Sequence, residues 1–167
     1  MNNDLQRTEI RLITETDIPL FTKYRVDYLK ELQGEPDKNR EITLKSELEN
    51  YFRNELSANR FFAFLLESDN QAVSFGAVVI KCIPGDFSSS TYLEGDILNM
   101  YTIPEARGKG FAGIVLNALI TESKKRGISK LSLHTTKDGE HLYRNSGFSE
   151  PAYPYLEMLI KSEAFCH

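Results

Sequence analysis

The residues with the clearest chemical purpose are Arg107-Gly108-Lys109-Gly110-Phe111-Ala112. An apolar strand and a turn marked by Pro104 precede them, and a helix follows. Small residues let the backbone come close to a bulky anion. The helix start aims free N–H groups and roughly half an elementary charge at the same place. The arrangement suits a pyrophosphate. It is not a P-loop, because Gly110 does not open a Gly-Lys-Ser/Thr triplet. It is not a dinucleotide fingerprint either, because no Gly-x-Gly-x-x-Gly can be written here.

Other reactive side chains are scattered. His134 shares a strand face with Ser132, and His141 stands two residues before Tyr143. No set of His, Asp and Glu has metal spacing, so no metal is expected. Cys82 and Cys166 have neither metal nor redox spacing, and both read as ordinary thiols.

The loop resembles the acetyl-CoA loop of the GNAT superfamily of N-acetyltransferases, whose signature is Arg/Gln-x-x-Gly-x-Gly/Ala. Arg107, Gly110 and Ala112 fill its fixed positions. The family's later Leu-Tyr-x-x-x-Gly-Phe segment is matched by Leu142-Tyr143-Arg144-Asn145-Ser146-Gly147-Phe148. The resemblance covers roughly residues 60–160; earlier it rests on element order alone. It implies acetyl transfer from acetyl-CoA, as co-substrate, to a primary amine of a small molecule or peptide. The attack would be direct, and no cysteine is placed as an acyl carrier. A catalytically silent sensor of CoA or acyl-CoA on the same fold is the alternative.

Transfer from a thioester to an amine has four needs: deprotonation of the amine, alignment, a donor for the developing oxyanion, and a proton for the leaving thiolate. The resemblance assigns Tyr143 as general acid; an ordinary phenol stays protonated at neutral pH. Asp96 takes the place of a catalytic Glu in the histone-acetylating branch. Being one methylene shorter, it would work through a bridging water, with Glu94 as a substitute. Strand alternation puts Asp96, Leu98 and Met100 on one face. In the family this strand is bulged and splayed. The pantetheine arm would then pair with the main chain of Met100, Tyr101 and Thr102, and an N–H near Met100 would meet the oxyanion. The amides from Arg107 to Ala112 (Arg107, Gly108, Lys109, Gly110, Phe111, Ala112) would hold the pyrophosphate, with charge added by Arg107 and Lys109. Thr135 and Thr136 stand where many relatives have an Asn.

The elements that must position these groups can be read along the chain. Strands are expected at 8–13, 60–67, 72–83, 92–103, 128–135 and 155–160. Residues 68–71 make a hairpin turn, and Gly76 marks a bulge. Thr16 or Asp17 caps a first helix with Pro19 in its first turn, carrying Ile18, Phe21, Tyr24, Tyr28, Leu29 and Leu32 inward until Gly34. After a loop at 33–41, a second helix is expected over 43–57, with Leu44, Leu48, Tyr51, Phe52 and Leu56 on one side. The helix over 110–126 buries Phe111, Ile114, Val115, Ala118 and Leu119. Asp138 caps a short helix that Gly147 closes. The order β-α-α-β-β-β-α-β-α-β is that of the family: an α/β (α+β) fold with a mixed, mostly antiparallel central sheet flanked by helices.

The 167 residues suit a single N-acetyltransferase domain, residues 1–167. Hydrophobic content of 41% and charged content of 26% are those of an ordinary globular chain. The net charge of −4 argues against a nucleic-acid partner. The first residues lack the apolar core of a secretory leader, and no run is long enough to span a membrane, so a cytoplasmic enzyme is expected. The acceptor would be shaped by the first two helices, with Arg25, Tyr28 and Tyr51 as lining candidates. Carboxylates near 33–41 hint at a cationic acceptor. A homodimer is common in the family.

Overall fold

The computed structural model describes residues 7–160, which fall into two compact units divided between His134 and Thr135. Cys166 lies outside the described residues.

The first unit is built on a five-stranded sheet in the order β1-β2-β3-β4-β5. Its strands are β1 (Thr8–Leu12), β2 (Phe61–Ser68), β3 (Gln71–Pro84), β4 (Thr91–Thr102) and β5 (Ile128–Ser132). The first four run antiparallel. β4 and β5 run parallel, which requires a crossover; helix α3 (Phe111–Lys125) supplies it. Helices α1 (Ile18–Gln33) and α2 (Lys38–Ser57) lie between β1 and β2 in the chain.

Helices cover both faces of the sheet. On one face Phe61, Ala63, Leu65, Phe75, Ala77 and Tyr101 pack with Ile18 and Phe21 of α1 and Phe52 of α2. The other face meets α3: a Cβ on Gly76 would fall against Leu119 and Val115, at 2.8 and 3.0 Å. A strand covered on both sides reads as a continuous apolar run rather than an alternating one. That is why Phe-Phe-Ala-Phe-Leu-Leu in β2 carries no period of two.

The β2–β3 turn forms where it was expected. Asp69 and Asn70 take φ values of 51° and 63°, the left-handed pair of a tight hairpin. Three expectations are corrected. Helix α2 begins at Lys38 rather than near 43, because the Asp37 carboxylate accepts from the N–H groups of Asn39 and Arg40. The polar first turn it caps has no apolar period to announce it. In α3 the buried arc is Phe111, Val115, Leu116 and Leu119, while Ile114 is 42% exposed. Finally, residues 155–160 form no strand. A strand exists only as half of a ladder, and Tyr155, Leu156, Met158, Leu159 and Ile160 stand exposed with no ladder partner among the described residues.

The entry to α1 is pinned by charge. Both Asp17 oxygens accept from the Arg11 guanidinium at 2.8 Å, and one also accepts from the Thr14 N–H at 2.7 Å. The Arg11 hydrogen bonds hold the Asp17 carboxyl down at about 2, against the opposing effect of its partial burial. The folded value lies below the ordinary Asp value of about 3.9. The stabilisation is therefore complete above that value and is lost as pH falls through about 2. Asp17→Asn is expected to cost about 1–2 kcal/mol at neutral pH. The gap between variant and native chain should close in acid, which urea unfolding at pH 7 and at low pH will show.

The second unit carries α4 (Lys137–Asn145). Thr136 caps it, its hydroxyl accepting from the Gly139 N–H at 3.3 Å. Gly147, at φ 96°, turns the chain after it. Tyr143 is buried with its ring edge-on to Phe148, centroids 5.9 Å apart. Among the described residues no helix is long and apolar enough to cross a membrane.

Candidate active site

The site begins where the sheet forks. β5 accompanies β4 only as far as the Asp96–Ser132 pair. From Ile97 to Thr102, β4 continues with β3 as its one partner among the described strands, so its other edge is unpaired. Just beyond the fork β4 is bulged. Ala77 pairs with Leu98 and Phe75 with Tyr101, so Asn99 and Met100 together face Gly76. Asn99 takes up the strain with φ 58°. The extra residue lies in β4, opposite the glycine that marked the irregularity in the sequence.

The bulge corrects the expected side-chain faces. Asp96 and Leu98 share a face with Tyr101, on the side of α1 and α2, and Met100 goes to the other. The Met100 Sδ fills the space a Cβ on Gly76 would take. Asn99 is buried, and its Oδ1 accepts no hydrogen bond from any described residue.

Beyond β4, a single turn at Pro104–Ala106 leads into the glycine loop. Gly108 and Gly110 take φ values of 77° and 81°, and Gly110 caps α3. A Cβ at either would meet nothing within 4 Å, so glycine is demanded by backbone conformation rather than crowding. The N–H groups of Gly108, Gly110, Phe111 and Ala112 find no acceptor among the described residues. Free donors at a helix start are an anion site.

Arg107 does not offer its charge freely. Its Nε donates to the Thr102 carbonyl at 2.9 Å, and Nη2 reaches both Glu31 oxygens at 2.8 and 2.7 Å. The Tyr101 hydroxyl donates to the same carboxylate at 2.9 Å. Burial first, and then that bond to Glu31, push the Tyr101 phenol up to about 12. Glu31 thus ties the end of α1 to the strand and loop. It was not found in the sequence, where 76 positions separate it from Arg107.

The carboxylates at the fork are also engaged. Asp96 forms an ion pair with Lys81 and accepts from the Ser132 hydroxyl at 2.5 Å. Partial burial works to raise its pKa, but the Lys81 and Ser132 bonds together outweigh it and the net shift is downward. Glu94 pairs with Lys130 at 2.7 Å. His141 hydrogen-bonds Asn145 at 2.9 Å. No group of three or more His, Cys, Asp and Glu suited to a metal occurs among the described residues.

Comparison with known proteins agrees with this geometry. Residues 25–148 match the model of the acetyltransferase (GNAT) family. A predicted acetyltransferase from Clostridium acetobutylicum, solved with acetyl-CoA, is 31% identical with a TM-score of 0.79, over 92% of this chain and 96% of that one. A GCN5-related N-acetyltransferase from Ralstonia eutropha, at 21% identity and a TM-score of 0.74, shares the fold over 91% of this chain and 99% of its own. An uncharacterised acetyltransferase of Streptococcus pyogenes is 27% identical over 73 residues, 44% of this chain. The matched segment spans half the length of that curated relative. With a family model matching most of the chain and a 31% identical relative matched nearly end to end, this protein belongs to the GNAT family of acetyltransferases.

Proposed function

We propose that this enzyme moves the acetyl group of acetyl-CoA directly to a primary amine of a small molecule or peptide. The observation that carries the reading is the junction of an open strand edge at Ile97–Thr102 with unpaired N–H groups at Gly108–Ala112. The first matches the need of an amide-bearing arm, the second that of a pyrophosphate. The unsatisfied Oδ1 of Asn99 adds an acceptor for an amide N–H in the same stretch.

In this reading the main chain of Met100, Tyr101 and Thr102 holds the pantetheine arm. Gly108, Lys109, Gly110, Phe111 and Ala112 hold the pyrophosphate. Arg107 serves as the anchor of the loop, its guanidinium fixed by Glu31. The thioester supplies an activated acyl carbon and a good leaving group. An N–H near Met100 polarises the carbonyl oxygen. Asp96, kept ionised by Lys81 and Ser132, takes the amine's proton through a water. Tyr143 returns a proton to the departing sulfur, on the strength of the Leu142–Phe148 resemblance. Residues 1–167 work as one catalytic domain, in a reducing cytoplasm that suits the exposed thiol of Cys82.

The test is release of free CoA thiol from acetyl-CoA across polyamines, aminoglycosides, amino acids and peptides with free amines. Tyr143→Phe is expected to cut acceptor-dependent release at least about tenfold, with acetyl-CoA affinity little changed. Tight binding without release for every acceptor would overturn the assignment of catalysis. Absence of binding would overturn the acetyl-CoA site itself.

A further inference from the structure

Charged side chains on α1 are paired, with one exception. Lys23 meets Asp27 at 2.7 Å, Lys30 meets Glu35 and Glu41 at 3.1 and 3.0 Å, and Glu31 holds Arg107. Arg25 forms no ion pair and donates no hydrogen bond among the described residues. It is half-buried, and its guanidinium lies 5.6 Å from the centre of the Tyr28 ring. The Tyr28 ring in turn meets that of Tyr101, edge-on at 6.3 Å, on the face of β4 that also carries Asp96 and Leu98.

Burying a cation without an anion is unfavourable, and a guanidinium cannot escape by losing its proton. Burial does pull the Arg25 pKa downward, with the Tyr28 phenol giving the one opposing effect. A tyrosine face compensates a desolvated cation only in part. Among the described residues, the Tyr28 ring is thus the one group that offsets the cost of this charge, and it does so in part. A planar fork of donors, stacked and held, is the geometry that grips carboxylate or phosphate.

We propose that Arg25 is the anion-binding residue of the acceptor site and selects an amine whose skeleton also carries a carboxylate or a phosphate. The proposal rests on the acetyltransferase reading above and narrows its acceptor. It also replaces the cationic acceptor hinted at by the carboxylates of 33–41. Those groups are already engaged: Glu35 and Glu41 by Lys30, Glu41 also by Lys45, and Asp37 by the α2 cap.

The experiment follows the Arg side-chain Nε–Hε resonances of the full chain, saturated with CoA, and assigns Arg25 with the Arg25→Met variant. Acetate, inorganic phosphate and chloride are added separately at matched ionic strength. The Arg25 resonance is expected to saturate with acetate or phosphate at roughly a tenth of the chloride concentration or less. Whichever anion is preferred names the group on the acceptor. Arg25→Met is expected to unfold no earlier than the native chain, since it removes a charge compensated only in part. With acetyl-CoA, Arg25→Gln should raise KM for O-phosphoethanolamine or β-alanine, and spare ethanolamine and propylamine.

A titration in which neither anion outperforms chloride overturns the proposal. So does an Arg25→Met chain clearly less stable than the native one, which would mark Arg25 as a packing residue. CoA binding, measured beforehand by calorimetry, is read separately. Its absence overturns the acetyl-CoA site and leaves the anion titration of the free protein to decide on Arg25.

Discussion

A Gly110→Val chain is expected to bind acetyl-CoA at least about a hundredfold more weakly than the native protein, a loss of about 2.8 kcal/mol. Gly110 sits at φ 81°, where a β-branched residue is a true outlier. Holding valine there costs about 1–2 kcal/mol, so the loop relaxes toward negative φ. The N–H groups of Gly110, Phe111 and Ala112, which have no acceptor among the described residues, are then re-aimed. Each hydrogen bond from such a group to a charged ligand contributes about 1.5–3 kcal/mol, so losing two accounts for the effect. The fold should survive, because the new side chain meets no atom within 4 Å of its Cβ. Thermal unfolding should fall by only a few degrees, as about 1–2 kcal/mol implies for a chain of this size. Calorimetric titration with acetyl-CoA, beside a melting curve, checks both parts. Unchanged affinity would mean that the pyrophosphate is held elsewhere.

Phe75→Ala should do the opposite, damaging the fold before the site. Phe75 is 2% exposed and joins three aromatic contacts. Its ring lies 4.2 Å from that of Tyr24, stacks on Tyr101 at 6.2 Å and meets Phe21 edge-on at 6.4 Å. Truncating such a phenylalanine costs about 3–5 kcal/mol, combining lost transfer energy with a cavity between sheet and α1 that closes only in part. Total stabilities of about 5–15 kcal/mol leave little margin after that loss. In urea the unfolding midpoint should drop sharply with little change in slope. Phe87, fully exposed in the β3–β4 connection, is the control: Phe87→Ala should stay within about 0.5 kcal/mol of the native chain. Equal effects of the two substitutions would contradict the placement of the core.

These contrasts also show which parts of the protein the sequence discloses. The shape of the glycine loop was legible because it is local: Gly108 and Gly110 follow from their own left-handed backbone angles. The Asp69–Asn70 turn and the end of α1 at Gly34 were legible for the same reason. What stayed hidden depends on partners far away in the chain. Lys81 and Ser132 hold Asp96 from two other strands, and neither carries a local sign of that task. Residues 155–160 have the composition of a strand, but composition does not supply a ladder. The start of α2 lay in the cap at Asp37, whose polar neighbours resemble a loop. Met100 was put on the wrong face because alternation assumes an uninterrupted strand.

That interruption has a consequence for how β4 can change. The odd residue at Asn99 acts as a reading-frame shift in space. Before it, one parity of positions looks toward α1 and α2; after it, the other parity does. Removing one residue between Leu98 and Tyr101 would leave a single residue opposite Gly76, and the strand would then alternate regularly with Tyr101 still turned toward Glu31 and the aromatic core. The bulge would vanish, and with it the left-handed backbone at Asn99. One deletion in this strand would therefore erase the kink and spare the core behind it.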